Sequence, residues 1–123
     1  MEETRLFTVE EANALLPELA AALERIREAR QVVLRGAEHL ARTAPLNGGA
    51  DPTPEYWEAT RSLRQDVEHI TGMGIVLRDA ESGLLDFPTE REGGVAFLCW
   101  RLGEPNVGWW HSPEGGFASR RPL

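Results

Sequence analysis

Residues 12, 16, 19, 23, 26, 30, 33, 37 and 40 read Ala, Leu, Leu, Leu, Ile, Arg, Val, Ala and Leu. The spacings alternate between four and three, which is a coiled-coil seam interrupted only by Arg30. This periodicity predicts a helix over residues 8–42. Thr8-Val-Glu-Glu11 supplies its start: a threonine hydroxyl for an orphan N–H, and a glutamate three residues on that reaches back. Pro17 lies inside the helix and removes one backbone hydrogen bond, which predicts a bend near Asn13–Pro17. Residues 43–53, rich in Pro, Asn and Gly, read as a loop. Thr53 then caps a second helix over 54–72 with Pro54 at its first position, and Tyr56, Thr60, Leu63, Val67 and Ile70 form its stripe. Two such helices joined by a loop make an antiparallel hairpin.

From residue 75 the period becomes strand-like. Short apolar runs at Ile75–Arg78, Leu84–Pro88, Val95–Leu102 and Val107–Ser112 are separated by turns of four to six residues rich in Gly, Asp and Glu. The predicted fold is α+β in one domain over 1–123: a long antiparallel helical hairpin followed by a small antiparallel β-meander of about four strands over 75–112. Residues 113–123 read as a polar tail. Its Arg120-Arg121 pair could close over a ligand or pair with Asp86 or Glu104, but fraying fits better.

The two helices differ in length, about 50 Å against about 27 Å at 1.5 Å per residue. The unmatched part of the longer seam needs a cover, either the β region or the same seam on a second chain. The expectation is a homodimer through a four-helix or coiled-coil contact. Arg30 would then reach solvent, pair with an acid such as Glu24 or Glu68, or fix the register.

Charge narrows the partners. Twenty acidic side chains against 13 basic ones give a net charge of −7, which argues against nucleic acid and anionic membranes. Every basic side chain is an arginine. No apolar run reaches the roughly 20 residues of a membrane span, and the N-terminus lacks a basic region followed by an apolar core. The expected location is therefore the cytoplasm.

Candidate chemistry concentrates in the last third. Strand alternation puts Asp86 on one face with Leu84 and Pro88, and Cys99 with Arg101 on a shared face of the next strand. A turn at Arg91–Gly94 sets Asp86 across from Cys99 and diagonal to Arg101, so an Asp86–Arg101 pair is expected with His111 nearby. As a functional site, Arg101 would hold an anionic group while His111 or a carboxylate moves a proton. Glu104 and Arg120 would join it, and Trp100, Trp109 and Trp110 would wall it. The alternative is a fold-fixing ion pair with core tryptophans, and it fits better. Cys99 reads as an apolar filler rather than a nucleophile. No metal-ligand spacing is present, so no metal and no cofactor are expected. Glu38-His39 and Glu68-His69 sit too far apart along the hairpin to share an ion within one chain, leaving only a dimer-interface site or a mixed His111, Asp86, Glu104 set.

Thr8–Pro17, Gly83-Leu-Leu-Asp-Phe-Pro88, Leu98-Cys-Trp-Arg-Leu-Gly-Glu104, Trp110-His111 and Gly116–Leu123 resemble the bacterial family called domain of unknown function 2203. The family pattern usually places an acidic residue after Trp-His, where Ser112 stands here. The resemblance implies a small bacterial protein and supplies no substrate, cofactor or catalytic residue. The functional expectation is a non-catalytic interaction or regulatory protein that self-associates through its hairpin. The alternatives are a pocket for an unknown anionic small molecule, and metal binding at a dimer interface.

Overall fold

Thr8 and Glu11 close the predicted capping box. The Glu11 N–H donates to Thr8 Oγ1 at 3.1 Å, and the Thr8 N–H donates to Glu11 Oε1 at 2.9 Å. The computed structural model describes residues 4–47 and 52–123. In it α1 runs Val9–Asn47 and α2 runs Pro54–Gly72. α1 thus continues past the expected end at residue 42. The Thr43 hydroxyl donates to the His39 carbonyl at 2.9 Å, a back-bond compatible with a helix interior, so Thr43 belongs to the helix rather than to the loop. Residues 48–51 of the expected loop lie outside the described residues. α2 opens as predicted, with Thr53 Oγ1 accepting from the Tyr56 N–H at 3.2 Å and Pro54 in the first turn.

The helices pair antiparallel. Arg25 donates twice to Asp66, at 3.1 and 3.0 Å, and His69 Nε2 lies 3.0 Å from Glu18 Oε2. Near the far end Gly36 lies flat against the Tyr56 ring, where a Cβ would collide with it. α2 therefore covers α1 from about Glu18 to Gly36, and the N-terminal end of α1 extends past it. The sheet covers that end.

The sheet has five strands rather than about four: β1 Val76–Asp79, β2 Leu84–Arg91, β3 Gly94–Arg101, β4 Trp109–His111 and β5 Arg121–Pro122. They pair antiparallel in chain order. The fifth strand comes from the expected tail. It is held because the Leu123 N–H donates to the Gly108 carbonyl at 3.0 Å and Arg120 bonds Glu104 through both guanidinium nitrogens, at 3.0 and 2.9 Å. A hydrophobicity pattern carries no trace of either contact.

One face of the sheet presents Leu85, Phe87, Leu98 and Trp100 to the α1 stripe of Ala12, Leu16, Leu19, Leu23 and Ile26, and all are buried. Removing each large apolar side chain from water contributes about 1.5–3 kcal/mol. Polar ties fix the docking. The Val107 N–H donates to Asn13 Oδ1 at 2.8 Å. The Phe7 N–H donates to the Pro88 carbonyl at 2.7 Å, and the Thr89 hydroxyl to the Phe7 carbonyl at 2.6 Å. Arg27 Nε donates to the Glu81 carbonyl at 2.9 Å. Arg30, the interruption in the seam, sits where the sheet ends. Its charge contributes to holding Asp79 below the ordinary carboxylate range, after the hydrogen bonds that Ser82 donates to Asp79.

Gly83, at the β1–β2 turn, has φ of +73°, and a Cβ there would stand 2.7 Å from Leu102 Cβ. Gly93 has φ of +80° but open space around it. Gly83→Ala is expected to cost more than Gly93→Ala, which bears only the left-handed penalty of about 1–2 kcal/mol. Urea unfolding midpoints of the two variants check the order; equal midpoints would contradict the close packing of Gly83 on Leu102.

Candidate functional site

The β2–β3 register pairs Asp86 with Cys99, as alternation and turn length require, and the β3–β4 register pairs Phe97 with His111. These residues face away from the helices, yet Asp86, Cys99 and His111 are 2, 0 and 3 % exposed. Arg78 Nε donates to Asp86 Oδ2 at 2.7 Å, and His111 Nε2 lies 3.0 Å from the same oxygen. His111 Nδ1 lies 2.8 Å from the Ser112 carbonyl. A carbonyl only accepts, so this contact gives the donor role to Nδ1 and leaves Nε2 facing the carboxylate. Phe97 stacks on the imidazole with centroids 5.5 Å apart, and Arg78 lies over Phe97. Asp86 Oδ1 is buried with no hydrogen-bond partner.

The expected Asp86–Arg101 pair does not form. Asp86 has a strand on each side, and β1 supplies the cation. The β1–β2 register shifts between Leu77 and Asp79, leaving Arg78 as the extra residue of a bulge aimed at Asp86. Arg101 is exposed, with its guanidinium over the Phe117 ring at 4.9 Å. Trp100 and Trp110 do not wall the cluster either. Alternation puts them on the helix-facing side, where Trp100 is core and its Nε1–H donates to the Glu104 carbonyl at 3.0 Å.

Glu104 instead joins Arg120, and its Oε1 also accepts the Arg101 N–H at 2.7 Å. Burial opposes its charged form, but the Arg120 and Arg101 hydrogen bonds and charges outweigh that and hold its carboxyl below the ordinary range. Arg120 also reaches Cys99 and stacks on Trp109 and Phe117, at 4.6 and 4.1 Å from the ring centres. The named set of Asp86, Arg101, Glu104 and His111 thus divides into two clusters and lines no common cleft. Sequence reasoning missed Arg78, since a bulge leaves no mark in the hydrophobic pattern, and set Cys99 aside as filler.

Chemically, Cys99 has no base. Burial, and then the Asp86 charge, push its thiol up to about 11, and both nitrogens of His111 are engaged elsewhere. What the geometry does bring together is a donor set: one ligand atom each from Asp86, Cys99 and His111, all within 4.8 Å of one another.

Asp86→Asn leaves Arg78 and the buried His111 without their carboxylate and is expected to destabilise the fold by about 1–3 kcal/mol, the cost of leaving a buried partner unsatisfied. Arg78→Ala, on a half-exposed side chain, should cost less; chemical denaturation of both decides. Glu104 carries a separate pH signature. Because its folded pKa is lowered, its contribution is present above the unfolded value of about 4.3 and is lost as pH falls through the folded value. Melting temperatures between about pH 5 and pH 3 should therefore fall more steeply in the wild type than in Glu104→Gln.

Among the described residues no helix is long and apolar enough to cross a membrane. No curated protein and no solved structure matches the chain. A family model described as an uncharacterized conserved protein, DUF2203, matches residues 5–123. With nearly every residue inside that match, the chain belongs to the DUF2203 family.

Proposed function

We propose that the protein is a non-catalytic interaction module that pairs with a second copy of itself through the far half of its helical hairpin. The observation that carries this reading is where burial stops on α1. Ala29 is the last buried α1 residue among those described, although the apolar positions continue. Val32, Val33 and Leu40 are only half-buried, and Leu34 on α1 and Trp57 on α2 are 50 and 55 % exposed. Leu34 lies one heptad beyond Arg27, the residue that ties α1 to the sheet rim, so it continues the sheet-facing stripe past the sheet. Two helices alone form a single layer, and a layer with an apolar face is stabilised by a second one.

Charge favours a like partner there. The chain carries −7 overall, but residues 27–42 and 54–64 hold six arginines against four glutamates. Two copies meeting at this end escape the repulsion that the rest of the surface would impose. The non-catalytic part rests on the polar cluster: it is buried, its thiol is held protonated, and it lines no open cleft.

Sedimentation at micromolar concentration should give the mass of a dimer, and Leu34→Glu with Trp57→Glu should give a monomer. Exposed substitutions of this kind shift stability by about 0.5 kcal/mol or less, so the melting temperature of the monomeric variant should stay close to that of the wild type apart from the dimer's own contribution. A wild-type monomer under these conditions would remove the self-association reading.

A further inference from the structure

We propose that Asp86, Cys99 and His111 are ligands of a zinc-class divalent cation, bound through Asp86 Oδ1, Cys99 Sγ and His111 Nε2. The donors are carboxylate, thiolate and imidazole, the three ligand types zinc takes, and one comes from each of three successive strands, β2, β3 and β4. They already lie within 4.8 Å of one another. A tetrahedral centre with bonds of about 2.0 Å to N and O and about 2.3 Å to S places donors about 3.3–3.5 Å apart, so side-chain adjustments of an ångström or so complete it.

The surrounding contacts suit this assignment better than a simple ion-pair lock. A lock would use both carboxylate oxygens, whereas Asp86 Oδ1 is buried with no hydrogen-bond partner. Arg78 holds the other oxygen at 2.7 Å and fixes the carboxylate plane. The Ser112 carbonyl takes the Nδ1 proton of His111, which leaves Nε2 as the ligating nitrogen, the usual outer-shell arrangement of a metal-bound histidine. The Arg120 charge beside Cys99 favours the thiolate. Cys99 would ligate as the thiolate, its proton leaving to solvent as the cation binds.

The test uses the full chain, free of any histidine tag. One equivalent of Co²⁺ should produce a thiolate-to-metal charge-transfer band with the visible absorption of a tetrahedral ion, and Zn²⁺ should abolish both. At a hundredfold excess over Kd, Zn²⁺ should raise the melting temperature by about 10 °C. Cys99→Ala keeps the Asp86, Arg78 and His111 contacts, so it should melt cooperatively and lose the band; Cys99→Ser replaces it if the alanine variant does not fold. His39→Gln should retain the band. Absence of charge transfer in folded wild type, saturation well below one equivalent, or a band that survives replacement of Cys99 would overturn the proposal. None of these readouts depends on whether the chain is a dimer, so this proposal and the self-association reading stand or fall separately.

Discussion

The contact between the α1 stripe and one face of β2 and β3 is the constraint on which the molecule depends. Leu16, Leu19, Leu23 and Ile26 require Leu85, Phe87, Leu98 and Trp100 opposite them, and side chains on a strand alternate. Asp86, Cys99 and His111 are thereby committed to the other face. A slip of one residue would drive Asp86 into the helix interface and bring Phe87 out, so the hydrophobic contact fixes the register of the polar cluster. The same contact settles the cover for the long helix. Its N-terminal end is closed within the chain, whereas Leu34 and Trp57 at the far end of the hairpin stay exposed.

The elements that rest on local chemistry were legible in the sequence. The capping box at Thr8, the Thr53 cap with Pro54, and the pairing of Asp86 with Cys99 follow from spacing and turn length, and the structure has all three. Features set by tertiary contacts were not legible. Arg78 and Arg101 are both diagonal to Asp86 on its face, and the bulge, which leaves the apolar pattern unchanged, is what aims Arg78 at the carboxylate. The fifth strand depends on Arg120 finding Glu104 and on Leu123 reaching Gly108, contacts between segments that look like turn and tail. Of the three tryptophans, Trp109 shares the face of Cys99, whereas Trp100 and Trp110 lie on the other for a simpler reason. A cluster of aromatic residues in sequence is divided between two faces once it becomes a strand.

The absence of lysine acquires a structural meaning on the outer face and rim of the sheet. Arginine guanidinium groups lie over aromatic rings at Arg5–Phe7, Arg78–Phe97, Arg91–Trp110, Arg101–Phe117, Arg120–Trp109, Arg120–Phe117 and Arg121–Trp110. Each such contact contributes about 0.5–1 kcal/mol where it is exposed. A planar guanidinium stacks on a ring while its N–H groups bond a carboxylate in its plane, as Arg120 does with Glu104; an ammonium does one or the other. On the outer face, the stacks of Arg78 on Phe97 and of Arg120 on Trp109 help cover Asp86, Cys99 and His111, which no helix covers.

The order of the strands has a kinetic consequence. Every strand pairs with its neighbour in sequence, and the two helices are likewise consecutive, so the hairpin and the meander each assemble from short loops. The bonds that tie the chain's beginning to the sheet span far more: 82 residues from Phe7 to Thr89 and 94 from Asn13 to Val107. Loop-closure entropy is therefore concentrated in the single event that docks hairpin onto meander. Two halves organised by local contacts and joined by long-range bonds place the cost of non-local pairing in that docking, while the polar cluster, on three consecutive strands, belongs to the locally built half.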